Sequence, residues 1–134
     1  MATGFAGRGT AFAAIVAGGM IAAGSAAAEY RVLGQSELRE AIVGKTVVLE
    51  TMVGTIPISF AADGTMTGRS ANMLSYLGRG FDRGTWWIAG NQLCQKWKMW
   101  LDGKSYCFTI RRSGSDVQWT RNDGMTGTLT VASN

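Results

Sequence analysis

The chain of 134 residues contains no histidine. Without an imidazole group, Ser-His-Asp and Cys-His catalysis are excluded, and so is every metal site that depends on a histidine ligand. The two cysteines are too few for a four-thiolate zinc site. No two of the nine acidic residues are linked by the sequence as a catalytic pair. We therefore expect no metal and no cofactor, and the sequence disfavours an enzyme.

A phosphate-binding glycine loop is also missing, because Gly78-Arg79-Gly80 lacks the Lys-Ser/Thr ending of such loops. Three of the acids, Asp63, Asp102 and Asp123, precede glycine and are explained by turns. Asp82 has no such explanation; it either pairs with a neighbouring arginine or serves in chemistry. An envelope enzyme that uses dispersed carboxylates is therefore kept as an alternative.

Residues 1–28 have the pattern of a secretory signal peptide. Arg8 supplies the positive start, residues 11–23 are apolar and uncharged, and small residues end at Ala28. We predict cleavage after Ala28, which leaves residues 29–134 as one domain in the periplasm or outside the cell. An uncleaved anchor is the alternative, but a spanning helix needs about 20 apolar residues. We expect no membrane span after cleavage.

The charge of the mature chain is mildly positive. Removing Arg8 leaves 12 basic and 9 acidic residues. No run of Lys and Arg is longer than two residues, so the charge does not predict nucleic-acid binding.

Beyond one short helix, the pattern predicts antiparallel β structure. Residues 36–43 are predicted to be helical, with Ser36 as N-cap and Gly44 as terminator. Turn dipeptides such as Gly90-Asn91 then separate β-like segments. The predicted strands are 46–52, 55–60, 65–69, 84–89, 92–97, 105–112, 116–121 and 126–132. Short turns without crossover helices favour an up-and-down meander of about eight strands, closed as a small barrel or folded as a sandwich.

The connection over residues 70–80 has no strand pattern. We predict a single helical turn that Ser70 caps and Gly78 ends. Its apolar residues fall on one side: Met73, Leu74 and Leu77. We expect them to plug one end of the barrel; a mobile lid over a pocket is the alternative.

The two cysteines are predicted to form a disulfide. With a hairpin turn at Gly90-Asn91, a loop over residues 98–103 puts Cys94 directly opposite Cys107. A tight turn at Asp102-Gly103 would keep the sulfur atoms too far apart for a bond. An exported chain with two cysteines favours the first register.

The same register gathers the large apolar side chains on one face, which we predict to be the core. Its members are Trp86, Ile88, Leu93, Trp97, Tyr106, Phe108 and Ile110. Across Asp123-Gly124, an odd-length loop would put Leu129 opposite Trp119 and keep both inward.

One polar residue, Gln95, is predicted to lie on the core face, with Tyr106 as its neighbour. Because buried polar groups need partners, its amide either bonds the Tyr106 hydroxyl or a carbonyl, or orients a ligand. The candidate ligand-binding residues are Trp86, Gln95, Trp97, Tyr106 and Trp119, and the ligand would be small and apolar or amphipathic. We favour a filled core because the inward side chains are bulky.

The outer face offers a second candidate site. Its candidate contact residues are Trp87, Lys96, Trp100 and Arg111, with Trp100 expected on an exposed adjoining loop together with Lys98 and Lys104. Exposed tryptophan beside cations suits an anionic glycan, a lipid headgroup or an envelope protein. The alternative is a solvated face on which Trp87 covers the disulfide.

A set of short motifs spans residues 63–128, about half of the chain. They are Asp63-Gly64-Thr65 followed by Gly68, then Gly84-Thr85-Trp86-Trp87, Leu93-Cys94 with Trp97, Tyr106-Cys107-Phe108, and Gly124 with Gly127-Thr128. This order resembles a family of small exported alphaproteobacterial proteins of unknown function, lipocalin-like in pattern. The resemblance implies a β-barrel, a periplasmic location and paired cysteines, and it supplies no catalytic residues.

The expected function is thus that of an exported, periplasmic binding or protein-interaction module. The alternatives are the envelope enzyme and a purely structural envelope protein.

Overall fold

Nine strands and two short helices make up the computed structural model, which describes residues 29–132 except for the side chain of Met73. The strands are β1 (Arg31–Val32), β2 (Thr46–Thr51), β3 (Gly54–Phe60), β4 (Thr65–Arg69), β5 (Phe81–Ala89), β6 (Gln92–Trp97), β7 (Ser105–Ser113), β8 (Asp116–Arg121) and β9 (Thr126–Ala132). The helices are α1 (Gln35–Ile42) and α2 (Leu74–Leu77), and short 3-10 turns span Ala71–Met73 and Trp100–Gly103. The predicted signal peptide lies outside the described residues.

The sheet closes into an eight-stranded barrel. Each strand from β2 to β9 pairs antiparallel with the next, and β9 returns to pair with β2. The short strand β1 adds to β7 beyond the point where β6 stops. The predicted mainly β meander and its closure as a barrel are therefore confirmed. The largest boundary error is at β5, which begins at Phe81 rather than at residue 84.

The predicted register around the cysteines is confirmed. Cys94 lies opposite Cys107 and the two form a disulfide with an S–S distance of 2.05 Å. Trp87 lies opposite Cys94 on the outer face, and Gln95 lies opposite Tyr106 on the inner face. The long loop between β6 and β7 is what permits this pairing.

The predicted pairing of β8 with β9 is wrong by two residues. Leu129 lies opposite Val117, and Trp119 lies opposite Gly127. The loop is odd in length, as expected, but it is shorter, because the Arg121 N–H donates to the Met125 carbonyl at 2.7 Å. A Cβ atom at residue 127 would lie only 2.6 Å from Cζ2 of Trp119, so the tryptophan ring occupies the space that glycine leaves.

One end of the barrel, called the helix end, is closed by α1. Its Leu38 and Ile42 are buried in the core, and the turns 61–64, 90–91 and 114–115 lie at the same end because successive strands reverse direction. Gly34, not Ser36, precedes the first helical turn. The expected Ser36 cap is therefore wrong, since α1 begins one residue earlier and the Gly34 N–H reaches the Glu37 carboxylate at 3.4 Å.

The opposite end, called the loop end, carries the connections 52–53, 70–80, 98–104 and 122–125. Ser70 does not cap the segment 70–80, because its hydroxyl donates instead to the Thr55 carbonyl at 2.6 Å. Leu77 is buried as a plug, whereas Leu74 is exposed, contrary to expectation. The side chain of Met73 lies outside the described part of the structure.

Candidate functional site

The barrel interior contains two small cavities. The cavity toward the helix end measures about 20 Å³ and that toward the loop end about 40 Å³. Room for one water molecule requires about 10–15 Å³, whereas a ligand pocket measures about 300 Å³ or more. Side chains thus fill the interior enclosed by the described residues.

The structure brings the predicted interior residues together. Trp86, Gln95, Trp97 and Trp119 are buried and Tyr106 is partly buried. The Trp86 indole donates to the Ala61 carbonyl at 2.8 Å, and the Trp119 indole donates to the Thr128 carbonyl at 3.0 Å. These two polar groups are therefore committed to the backbone, and ligand binding by the interior set stays a prediction.

Gln95 has an unusual environment. Its side chain is 4% exposed and lines both cavities. Within residues 29–132, no hydrogen bond joins its amide to another side chain or carbonyl, so neither of the two structural alternatives, a bond to Tyr106 or to a carbonyl, is formed. The Tyr106 ring is covered instead by the Arg121 guanidinium, 4.2 Å from the ring centroid. The Gln95 amide thus faces space large enough for water.

Trp100 is 1% exposed, so its expected exposure on the outer surface was wrong. Its ring packs on Trp97, with ring centroids 4.6 Å apart, and its indole donates to the Arg79 carbonyl at 2.8 Å. The cause is Asp82, whose Oδ2 accepts the backbone N–H groups of Met99 at 2.8 Å and Trp100 at 2.7 Å. This pair of bonds draws the loop inward.

The loop that follows is strained. Leu101 and Asp102 have φ angles of 55° and 57°, and Gly103 follows at 64°. The left-handed conformation costs a side-chain-bearing residue roughly 1–2 kcal/mol. Asp82 and Trp100 hold the preceding residues in place, so Asp82 positions this loop rather than pairing with an arginine as the sequence suggested.

Of the predicted surface residues, the structure brings only Trp87 and Lys96 together. Trp87 is 39% exposed, and Lys96 is exposed on the neighbouring strand. Arg111 lies six residues along β7 from Ser105, the partner of Lys96, which is about 20 Å away at the strand rise. Arg111 instead donates to the Thr120 hydroxyl at 3.2 Å.

Further cations surround Lys96: Lys98, which the sequence placed on the adjoining loop, and Arg83, which the sequence argument missed. Lys98 lies beside Arg83, with its N–H bonded to the Arg83 carbonyl at 2.8 Å, and Lys96 lies opposite Thr85. These side chains line a surface groove of about 300 Å³. With Arg69 on β4 they form what we call the cationic face: Arg69, Arg83, Lys96 and Lys98.

An exposed aromatic ring lies within the cationic face. The guanidinium groups of Arg69 and Arg83 lie 5.2 Å and 5.8 Å from the centroid of Phe81. Both distances are within the range of cation–π attraction. The ring thus attracts both guanidinium groups at the surface, and neither arginine side chain donates a hydrogen bond within residues 29–132.

No ion pair among residues 29–132 involves the cationic face. In the part of the chain that the structure describes, the ion pairs are Arg31–Glu37 and Arg121–Asp123, and neither involves it. Residues 69–104 hold six basic and two acidic side chains, whereas the rest of residues 29–132 holds six basic and seven acidic ones. Like charges opposite each other on neighbouring strands are destabilising. The positive charge is thus concentrated where it repels itself.

The Arg121–Asp123 pair lies at the loop end. The hydrogen bond from Arg121 is the main cause that lowers the pKa of Asp123 to about 2, and the same bond raises the pKa of Arg121. At the helix end, the hydrogen bond from Arg31 lowers the pKa of Glu37. These two acids are engaged locally and do not offset the cationic face.

Comparisons with protein-family models, curated proteins and solved structures found no match. Among residues 29–132, no helix is long and apolar enough to cross a membrane. The same residues contain no cluster of three Cys, Asp or Glu side chains that could hold a metal ion.

Proposed function

We propose that the protein is an exported binding module of the cell envelope that recognises an anionic partner through its cationic face. The observation that carries this proposal is the arrangement of Arg83, Lys96 and Lys98 around one groove, with no ion pair to any of them among residues 29–132. A bound anion would offset the repulsion among the three cations. Export is supported by the signal-peptide pattern of residues 1–28 and by the disulfide, which is typical of oxidising compartments.

The chemistry of the face suits a partner with several negative charges. Arginine offers a planar set of N–H donors to phosphate, sulfate or carboxylate groups, and lysine adds point charges. Phe81 and Trp87 add exposed aromatic area on the same side of the barrel. The interior is the poorer candidate binding site, because its cavities of about 20 and 40 Å³ are too small for an organic ligand.

Retention on an immobilised sulfated polysaccharide, heparin, tests the proposal. We expect Lys96→Gln with Lys98→Gln to weaken binding about thirtyfold at low salt, since each exposed ion contact contributes about 1 kcal/mol. The matched control is Arg39→Gln with Lys45→Gln, which removes the same charge at the helix end. Both control residues are at the surface, and the Lys45 ammonium only donates to the Glu40 carbonyl.

The control should elute at nearly the salt concentration of the wild-type protein. Equal weakening by both variants would show that only net charge matters and would contradict the proposal.

A further inference from the structure

The connections of the loop end present a group of exposed apolar side chains. Five large apolar residues there expose about half of their surface or more, and Met52 is 100% exposed. They are Met52, Val53, Leu74, Tyr76 and Met99, which we call the apolar tips. Single exposed apolar residues are common on protein surfaces, but a group at one end indicates an interaction site.

The helix end has no such group in its turns. The turns 61–64, 90–91 and 114–115 contain only Ala, Asp, Gly, Asn and Ser. The exposed residues of α1 are polar or charged: Gln35, Ser36, Arg39 and Glu40. Exposure of large apolar side chains in the connections between strands is therefore a property of the loop end; at the helix end, the exposed Tyr30 and Val32 belong to β1 and the residue before it.

The apolar tips are exposed because the space beneath them is already filled. Leu77, Trp97 and Trp100 are buried at this end of the barrel. The cavity that remains there measures about 40 Å³, which is too small for the side chain of Leu74 or Tyr76. Among residues 29–132, Val53 and Tyr76 border this cavity with part of their surface, and about half or more of each apolar tip remains exposed to water.

Cations flank the apolar tips. Arg69 and Arg79 lie at the start and near the end of the segment with Leu74 and Tyr76. Lys98 and Lys104 bracket the loop that presents Met99, and all four basic side chains are exposed. Asp102 is the one exposed acid between residues 69 and 104.

We propose that the loop end docks onto a lipid membrane whose surface carries anionic headgroups. The apolar tips enter the boundary between headgroups and acyl chains, and the flanking cations contact the headgroups with their charged ends. Charge complementarity selects this occupant, because an apolar partner protein would not need a border of four cations. This inference rests on the proposed function, since it names the anionic partner of the same region.

Sedimentation with lipid vesicles tests the inference. The probes are vesicles of phosphatidylcholine alone and of phosphatidylcholine with 30% phosphatidylglycerol. The tip variant carries Met52→Ser, Leu74→Ser and Met99→Ser; its control carries Tyr30→Ser and Val32→Ser, at and beside β1. We expect the wild-type protein and the control to bind the anionic vesicles, and the tip variant to bind them at least tenfold more weakly. Little binding is expected to phosphatidylcholine alone.

A second measurement reports insertion directly. Tryptophan placed by Met52→Trp should be quenched by brominated acyl chains in anionic vesicles more strongly than the native tryptophans are. This variant keeps the loop end apolar, so the result does not depend on the stability of the tip variant.

The outcomes separate the two proposals. If the tip variant binds as well as the wild-type protein and Met52→Trp is not quenched, the membrane inference is overturned even though anion binding stands. Binding to heparin without binding to anionic vesicles also overturns the membrane inference alone. Failure to bind either probe overturns both proposals.

Discussion

The two ends of this barrel are closed in different ways. The helix end is sealed by α1, whose Leu38 is fully buried, and its turns are short and polar. The loop end is closed by longer connections that contain a strained left-handed turn and leave the apolar tips exposed. The comparison indicates that the helix end mainly stabilises the fold, whereas the loop end carries features that stability alone does not require.

The largest expected effect is a difference in stability loss between two leucine variants, one at each end of the barrel. Leu38→Ala should lower the free energy of unfolding by about 3 kcal/mol, because it leaves a cavity in the core. Leu74→Ala should change it by less than about 0.5 kcal/mol, since the side chain is exposed. Urea denaturation of both variants measures the difference. Similar losses would mean that Leu74 packs in solution and that the two ends are alike.

The next effect concerns the carboxylate that holds the strained loop. Asp82→Ala leaves the backbone N–H groups of Met99 and Trp100 without their acceptor and should cost about 2 kcal/mol. Amide hydrogen exchange should accelerate in residues 98–104 and remain unchanged in α1. Asp82→Asn, which keeps one acceptor oxygen, should lower the free energy of unfolding by less than Asp82→Ala does. Uniform acceleration over the barrel would show that the loop is not a separate unit.

A smaller effect, an increase in the free energy of unfolding, is expected for a substitution in the middle of the barrel. Gln95 lies between the two cavities without a described protein partner for its amide. Gln95→Met replaces the amide by an apolar chain of similar size and should raise the free energy of unfolding by about 1 kcal/mol. Thermal and urea denaturation measure it. A loss of stability would show that the amide supports the core.

The smallest effect is a pH dependence that differs between the ends. The pKa of Asp123 is about 2 in the folded protein, against an ordinary value of 3.8. Because folding lowers this pKa, the pair with Arg121 stabilises the protein fully above about pH 4, and the contribution is lost as the pH falls toward 2. Asp123→Asn should flatten the loss of stability over that range.

Glu37→Gln provides the comparison at the helix end. It should change the acid profile less, because both partners of the Arg31–Glu37 pair are well exposed, whereas the Arg121 side chain is only 10% exposed. Acid titration of unfolding followed by circular dichroism measures both variants. An equal change in the two profiles would contradict this difference between the ends.

The barrel was predictable because its signals are local. Alternation of apolar residues and tight turns located the strands, and the turn at Gly90-Asn91 gave the register of β5 and β6. The register that pairs the cysteines came from the loop over residues 98–103, which was preferred because an exported chain favours a disulfide. The pairing of Trp119 with Gly127 was missed because loop length alone did not decide it. Glycine within a predicted strand, opposite a bulky tryptophan, was the signal that could have corrected it.

The candidate site was predicted only in part. Lys96 and Trp87 follow from strand alternation, and the same register continued toward the loop end would have placed Arg83 beside Lys98. The burial of Trp100 could not be found in this way. It depends on the carboxylate of Asp82, 18 residues away in the chain, and on a left-handed turn that has no local sequence signal.

Amide hydrogen exchange of the wild-type protein, with and without vesicles containing 30% phosphatidylglycerol, tests the central contrast most directly. We predict that residues 70–80 and 98–104 become protected when vesicles are present, while residues 35–42 of α1 exchange at an unchanged rate. Protection of α1 without protection of the two loop-end segments would contradict the assignment of recognition to the loop end.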